Sequence, residues 1–285
     1  MSTIVLLAIT GLGLAALYFL VASGLSLVFG LADVLNFAHG LFLSIGAYGT
    51  WWAYPHVGFV AAVAFGVVVG ALAAVLVELV LIRPLYKRTI EQVLVTVGLS
   101  LAGVALLQAT FGADARPFPR PQWTQHVLSI GGALVPVDRI LLIVAALGVL
   151  GALLGFLRWT RYGLIVRAGV ENREMVTALG IDVRKAFTLV FAIGGAAAAL
   201  AGALGGVYLG SISPTTGASL LIFAFIVVVI GGMGSVIGSA VAAVAVGLLQ
   251  QFVNYYSTGM GDICVVALLA VVLLVRPGGL TRRTA

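Results

Sequence analysis

Long apolar segments separated by short polar stretches run through most of the 285-residue chain. From Ile4 to Trp52 the only ionisable side chains besides tyrosines are Asp33 and His39. A continuous helix of that length would extend about 75 Å, whereas the hydrocarbon core of a membrane is about 30 Å thick. This stretch is therefore expected to cross a membrane and turn back at least once. Because the N-terminus lacks the basic start of a cleavable signal peptide, we expect the first span to remain as a helix.

The same pattern predicts an all-α fold, a polytopic transmembrane helix bundle of eight or nine spans that includes broken helices. The count is open by one because the segment 219–232 is short for a crossing of ~20 residues. The whole chain, 1–285, is expected to form a single transmembrane domain. The predicted spans are 4–29, 35–53, 58–82, 91–111, 139–157, 186–210, 219–232, 235–253 and 262–275.

Composition and charge support a membrane protein and set its orientation. With 62% hydrophobic and 8% charged residues, the chain differs from soluble domains, in which about a quarter of the residues are charged. Basic residues cluster at 83–88, 158–185 and 276–283, between apolar spans. The positive-inside bias places these clusters in the cytoplasm, which puts the N-terminus outside and the C-terminus inside. This distribution also disfavours nucleic acid as the partner that a net charge of +6 would otherwise suggest.

The orientation makes 112–138 an outer loop. Two short apolar runs flank Gly131 and Gly132 in this loop, a pattern that predicts a β-hairpin. The loop is interpreted either as an ordered connector or as part of a surface that receives a partner outside the membrane.

Glycines recur at intervals of four residues, the spacing that lets helix backbones approach closely in lipid. We expect these glycines to lie at helix–helix contacts. They are Gly66 and Gly70, Gly151 and Gly155, Gly202, Gly206 and Gly210, and Gly234 and Gly238.

Catalytic motifs are absent from the sequence. No lysine follows a glycine as a phosphate-binding P-loop requires, and no serine lies in a Gly-x-Ser-x-Gly elbow. The three histidines are scattered, and Cys264 is the only cysteine. We therefore predict no catalytic residue, no metal site and no cofactor, and we do not expect an enzyme.

Two glycine-rich polar interruptions within the apolar pattern are candidates for the translocation pathway. Irregular backbone at membrane depth is tolerated where it is buried in protein or lines a cavity, and its free N–H and C=O groups form solute sites. The alternative interpretation is a packing kink or a capped turn at the membrane edge. The candidate pathway residues are Asp33, Asn36, His39 and Gly40 in the first interruption, and Gly231, Gly232, Gly234 and Ser235 in the second.

The charged segment 158–185 is the candidate for a cytoplasmic docking loop. Asn172 is expected to cap a short helix that ends before Gly180, with an apolar stripe suited to a groove on a partner protein. An interfacial helix lying on lipid headgroups is the alternative. The candidate docking residues are Arg161, Arg167, Glu171, Asn172, Met175, Leu179 and Gly180.

Four stretches resemble the permease subunits of bacterial ATP-binding-cassette importers for branched-chain amino acids, most closely the LivH-like subunit. They cover most of the chain in the family's order, and the Asn-Phe-Ala-His-Gly and Gly-Gly-x-Gly-Ser strings are the most specific parts. The stretches are GLSLVFGLADVLNFAHGLFLSIGAY (24–48), RPLYKR with LVTVGLSL (83–88 and 94–101), TRYGLIVRAGVENREMVTALGID (160–182) and GSISPTTGASLLIFAFIVVVIGGMGSVIGS (210–239).

The resemblance implies a heteromeric importer in the inner membrane of a bacterium. Its expected partners are a second homologous permease, two cytoplasmic ATP-binding subunits and an extracytoplasmic substrate-binding protein. ATP hydrolysis on the partners would drive alternating access through a coupling helix at 171–180. The implied solute is a branched-chain or similar small amino acid. Relatives often carry a glutamate where this chain has Leu41, which leaves the solute less defined.

The alternative function is an ion- or proton-coupled secondary transporter or channel for a small polar solute such as urea or an amide, with Asp33 and His39 as the coupling groups. Dependence of uptake on ATP rather than on a proton gradient separates the two. A membrane-embedded enzyme or assembly factor is disfavoured by the missing catalytic motifs.

Overall fold

A computed structural model describes residues 2–32, 36–86, 88–178, 183–276 and 278–279. Within these residues the fold is a bundle of α-helices with two small two-stranded sheets. The helices are α1 (Ser2–Ala32), α2 (His39–Val57), α3 (Phe59–Val77), α4 (Thr89–Phe111), α5 (Val137–Trp159), α6 (Arg161–Ala178), α7 (Val183–Leu209), α8 (Thr216–Gly231), α9 (Val236–Tyr256) and α10 (Met260–Val275).

Every predicted span corresponds to one of these helices, which confirms the polytopic helical fold. In the described part of the chain, six helical segments are long and apolar enough to cross a membrane, whereas α8 and α10 are shorter apolar helices of 16 residues each. The third span is longer than predicted. After Val77 its helix continues through a π-helical turn, Glu78–Ile82, and a 3-10 turn, Arg83–Leu85.

The core of the bundle forms around α1, which packs along α9, α7, α5 and α8. Close backbone contacts hold the helices together where glycine or alanine faces a neighbour. A Cβ atom at Gly247 would lie 2.5 Å from the backbone nitrogen of Ala15, and one at Gly70 would overlap the side chain of Ala199. In lipid such van der Waals packing takes the place of the hydrophobic effect between helices.

The predicted glycine contacts between helices are confirmed for Gly66, Gly70 and Gly202, each of which has a neighbouring helix within reach of a Cβ. Gly206 instead faces Phe118 of the loop between α4 and α5. The prediction is wrong for the pair in α5. Among the described residues nothing lies within 4 Å of a Cβ at Gly151, and one at Gly155 meets only Trp159 of the same helix. This part of α5 faces outward from the bundle rather than towards a second helix, which is why the spacing finds no partner in this chain.

The bundle has two chemically distinct ends. The basic end contains 83–88, α6, the start of α7 and the residues after α10. Two contacts place these segments together: the ring of Tyr86 lies 4.5 Å from that of Phe187 in α7, and Gly279 packs against Gly232 after α8. The strand end contains the loop between α4 and α5 together with the start of α1. The three basic clusters of the sequence, as far as they are described, thus lie at one end of the molecule.

The predicted β-hairpin is confirmed at the strand end. Strands β2 (Val127–Ile130) and β3 (Ala133–Pro136) pair antiparallel across a Gly131–Gly132 turn. Both glycines have positive φ, +58° and +77°, as a two-residue hairpin turn requires. A second sheet pairs β1 (Arg116–Pro117) with β4 (Ser211–Ile212), which ties the outer loop to the chain that follows α7.

Helix α6 differs from the predicted docking element. It begins at Arg161, so Asn172 lies inside the helix and the prediction that it caps a helix is wrong. Packing of Val166 against the bundle, together with the helix propensity of Leu164 and Arg167, extends the helix upstream of the expected cap. The predicted C-terminal residues Leu179 and Gly180 lie outside the described residues, as do the side chains of Glu171 and Asn172.

Candidate functional site

The first polar interruption packs against α1. His39 is the first residue of α2 and is fully buried, with its Nε2 3.1 Å from the carbonyl oxygen of Val21 in the middle of α1. Asn36 is also buried, and its Oδ1 accepts a hydrogen bond of 3.0 Å from the backbone N–H of Ala38. Their remaining polar atoms, Asn36 Nδ2 and His39 Nδ1, have no hydrogen-bond partner within the described part of the chain. Asp33 lies outside the described residues.

The start of α2 is held between two other helices. A Cβ atom at Gly40 would lie 2.6 Å from the carbonyl oxygen of Gly217, so the backbones of α2 and α8 touch there. On the opposite side the Leu41 side chain would meet a Cβ at Gly103 of α4 at 2.5 Å. Leu41, which follows the Asn-Phe-Ala-His-Gly string, is thus buried in a helix contact.

The second polar interruption is the turn between α8 and α9. Gly232 and Gly234 adopt positive φ values of 94° and 86°, and the Ser235 side chain caps α9 by accepting from the backbone N–H of Gly238 at 3.0 Å. A Cβ at Gly231 would lie 2.5 Å from the start of α9 at Gly238 and Ser239. This geometry matches the capped turn that the sequence left as the alternative interpretation.

The two interruptions are neighbours but do not form one cluster. The ring of Phe37 lies 5.1 Å from that of Phe225 in α8. Gly231 follows Phe225 by six residues, about 9 Å along the helix. The first interruption therefore lies deeper in the bundle than the second, which is at its basic end.

A polar face that the sequence analysis did not single out lies at the start of α8. Thr215 and Ser219 are exposed, one turn apart, and Ile222 continues the same exposed face at 60% exposure. The Ser213 hydroxyl lies 3.1 Å from that of Thr215 and 2.9 Å from that of Thr216. We call these four side chains, Ser213, Thr215, Thr216 and Ser219, the α8 hydroxyl face.

The inner end of this face, Ser219, lies near the middle of the bundle's depth, and Ser213 lies next to β4 at the strand end. The ring of Phe223 stacks on Tyr18 at 5.0 Å, and Tyr18 lies just past the middle of the 28-residue span Thr3–Gly30. Ser219 precedes Phe223 by four residues, about one turn or ~5 Å towards the strand end. Exposed hydroxyls at that depth indicate a polar route or a partner rather than lipid alone.

Helix α6 presents a mixed surface at the basic end. Val166 and Val176 are buried against the bundle, with 1% and 5% exposure, whereas Arg161 and Arg167 are exposed and Met175 is 61% exposed. The apolar residues that were expected to form one docking stripe therefore face two directions: Val176 packs on the bundle, and Met175 faces outward. Exposed cationic and apolar groups on one packed helix suit contact with another protein.

A second residue missed in the sequence is Glu78. This acid is fully buried at the start of the π-helical turn, although its span is otherwise apolar. Its carboxyl oxygens accept hydrogen bonds from the hydroxyls of Tyr86 and Thr188. The available signal was a single acid inside an apolar span, which marks a functional candidate.

The described residues offer no group of three His, Cys, Asp or Glu side chains that could hold a metal ion. Comparison with known proteins shows the family to which the chain belongs. The model of the family described as "Branched-chain amino acid transport system / permease component" matches residues 7–275. The chain belongs to this permease family.

Curated relatives match over nearly their whole length. The chain is 32% identical to the high-affinity branched-chain amino acid transport system permease protein LivH of Escherichia coli K12, over 96% of this chain and 94% of the relative. It is 29% identical to the permease protein BraD of Pseudomonas aeruginosa, with the same coverage. A probable LivH of Methanocaldococcus jannaschii is 27% identical, over 92% of this chain and 87% of the relative. No solved structure matches the fold.

Membership in this family confirms the resemblance seen in the sequence and identifies the chain as a multi-pass membrane permease subunit. Its relatives are permeases of branched-chain amino acid transport systems, so the match does not favour the alternative of an ion- or proton-coupled transporter or channel.

Proposed function

We propose that this permease is one membrane-spanning subunit of an ATP-driven importer for branched-chain or similar small amino acids. The observation that carries the proposal is the family match over residues 7–275, joined to the gathering of basic residues at one end of the bundle. A second homologous permease, two ATP-binding subunits and a solute-binding protein complete the assembly. The basic end faces the cytoplasm, which places the N-terminus outside and the C-terminus inside.

The ATP-binding subunits dock on α6. The exposed side chains of Arg161, Arg167 and Met175 form the contact surface, and Glu171, Asn172, Leu179 and Gly180 belong to the same 158–185 coupling loop. The buried Val166 and Val176 fix α6 on the bundle, so a movement of the ATP-binding subunits is passed to α5 and α7. An interfacial helix on lipid headgroups would need no such rigid attachment.

The solute route passes the α8 hydroxyl face. An amino acid carries an ammonium and a carboxylate group, and serine and threonine hydroxyls both accept and donate hydrogen bonds. The face runs from the strand end to Ser219 near mid-depth, and Thr215 and Ser219 are exposed in the single subunit, where the second permease would close the other side of the route. Transport sites commonly lie near the membrane midplane.

The two polar interruptions position the helices that line the solute route. Asn36, His39 and Gly40 seat the start of α2 against α1 and α8, so they set the position of the hydroxyl face. Gly231, Gly232, Gly234 and Ser235 form the turn that lets α8 and α9 pivot together. Asp33 is assigned to the same pathway from its spacing in the sequence.

Affinity purification tests the assembly. The tagged chain is extracted gently from its own membrane, and its partners are identified by mass spectrometry. We expect two P-loop ATP-binding subunits per pair of permeases. Recovery of the chain alone, or only with copies of itself after cross-linking, would contradict the proposal.

Variants then test the two surfaces. Met175→Asp is expected to reduce recovery of the ATP-binding subunits at least tenfold. Leu134→Asp, which places the same charge at an exposed apolar position of β3 at the strand end, serves as the matched control. Ser219→Ala is expected to lower uptake with ATP-binding subunits still attached. Unchanged recovery with Met175→Asp would refute α6 as the docking helix.

A further inference from the structure

Glu78 is an acid within an apolar membrane span, at position 20 of the 27 residues of Phe59–Leu85. It is fully buried and makes no ion pair with any described residue. Ionisable groups at membrane depth are costly and are retained chiefly where they serve a function. The carboxyl group is instead held by two hydroxyl donors, Tyr86 and Thr188, the latter at 2.8 Å.

The three side chains join three separate segments of the chain. Glu78 opens the π-helical turn that follows α3, Tyr86 lies in the basic 83–88 segment, and Thr188 is in the second turn of α7. The ring of Tyr86 also packs on Phe187 at 4.5 Å. Single π-helical turns often occur at functional positions because they redirect one side chain. Here the turn accompanies a carboxyl group directed at α7.

Helices α3 and α7 also contact each other further inside the membrane, where a Cβ at Gly195 would overlap the side chain of Ala74. Gly195 follows Thr188 by seven residues, about 10 Å along α7. The Glu78 bonds therefore add a polar attachment at the cytoplasmic entry of α7, away from the glycine contact. Helix α7 begins at Val183, shortly after α6 ends at Ala178. A movement of α6 therefore reaches α7 near Thr188, where the bonds to Glu78 are made.

We propose that Glu78 is a positioning residue for transport, which holds the end of α3 and the 83–88 segment on the start of α7 so that movement of α6 is transmitted to the bundle. The inference rests on the proposed ATP-driven function. Glu78 acts through Tyr86 and Thr188 and need not touch the solute.

The test uses the complete importer in lipid vesicles, and it measures solute taken up per ATP hydrolysed. Glu78→Gln replaces one acceptor oxygen with a donor, Tyr86→Phe and Thr188→Val remove one donor each, and Thr188→Ser keeps the hydroxyl. Glu91→Gln is the matched control, because Glu91 is a half-exposed acid paired with Arg88 in the neighbouring helix.

We expect the uptake per ATP to fall at least fivefold in Glu78→Gln and in Thr188→Val, and to stay at the wild-type value in Thr188→Ser and Glu91→Gln. Glu78→Gln combined with Thr188→Val should be no worse than the more severe single variant, because both remove the same attachment.

An unchanged uptake per ATP hydrolysed in Glu78→Gln would overturn the proposal. A smaller yield of assembled importer whose uptake per ATP is unchanged would also overturn it, since that result indicates a purely structural role. If the unmutated importer itself shows no ATP-driven uptake, the proposed function fails first, and the Glu78 proposal fails with it.

Discussion

Replacing Gly217 with alanine tests the backbone contact that positions the α8 hydroxyl face. The added methyl group would overlap the Gly40 carbonyl oxygen and the Ser44 hydroxyl of α2. In the reverse direction a Cβ at Gly40 would lie 2.6 Å from the Gly217 carbonyl oxygen. Non-bonded heavy atoms pack at about 3.5 Å, and the added methyl group would start closer to α2 than in the reverse contact, so α2 and α8 would have to separate by about 1.5 Å.

Backbone atoms face the new methyl group, and they cannot rotate away as a flexible side chain does. Overpacking of this kind costs about 1–3 kcal/mol in well-packed cores, and we expect Gly217→Ala to lie in the upper half of that range. Gly148→Ala in α5 is the matched control, because among the described residues nothing lies within 4 Å of its Cβ. That control should leave the free energy of unfolding unchanged or raise it by up to about 1 kcal/mol, because alanine is the better helix former.

Unfolding of the detergent-solubilised subunit by a denaturing detergent, followed by circular dichroism, gives the free energy difference between variant and wild type. Uptake by the assembled importer is measured in parallel. If Gly217→Ala unfolds at the same detergent fraction as Gly148→Ala, the α2–α8 contact is not as close as described, and the positioning of the hydroxyl face by Gly40 is refuted.

Three further substitutions follow from single contacts. Leu41→Ala removes the side chain that fills the space beside Gly103, so unfolding free energy should fall by about 2–3 kcal/mol in the same detergent titration, and a loss below ~0.5 kcal/mol would contradict the α2–α4 contact. Tyr18→Phe keeps the stacking on Phe223 but removes the 2.7 Å bond to Gln250 Oε1, for an expected loss of about 1 kcal/mol; no change would show that this buried bond adds nothing. Gly131→Val forces a β-branched residue into positive φ, at a cost of about 1–2 kcal/mol, and is expected to increase proteolysis within the hairpin while uptake per assembled importer is retained; unchanged proteolysis would argue against the turn geometry.

Hydrophobic periodicity predicted the helices well because membrane spans are long and must satisfy their backbone hydrogen bonds internally. The Gly131–Gly132 hairpin was predictable for a similar local reason, since a two-residue turn with positive φ has few acceptable sequences. The start of α6 was missed because the helix depends on packing of Val166 and Val176 against the bundle, and the cap signal at Asn172 was only local.

The candidate site was less predictable than the fold. The polar interruption in the apolar pattern singled out Asn36 and His39, but it did not indicate that His39 would bond to the Val21 carbonyl inside the bundle. Ser219 has ordinary local sequence, and it becomes a candidate only when its depth and exposure are known. Glu78 did carry a local signal, a single acid inside an apolar span, but its two hydroxyl partners did not. The pairing of Glu78 with Thr188 joins residues 110 positions apart, which no local pattern encodes.

Uptake of labelled leucine by vesicles that contain the purified importer, with ATP enclosed and the binding protein outside, is the most direct test of the central claim. The account predicts accumulation that requires hydrolysable ATP, continues when the proton gradient is dissipated, and is lost with a non-hydrolysable analogue. Uptake that follows an imposed proton gradient without ATP would contradict it.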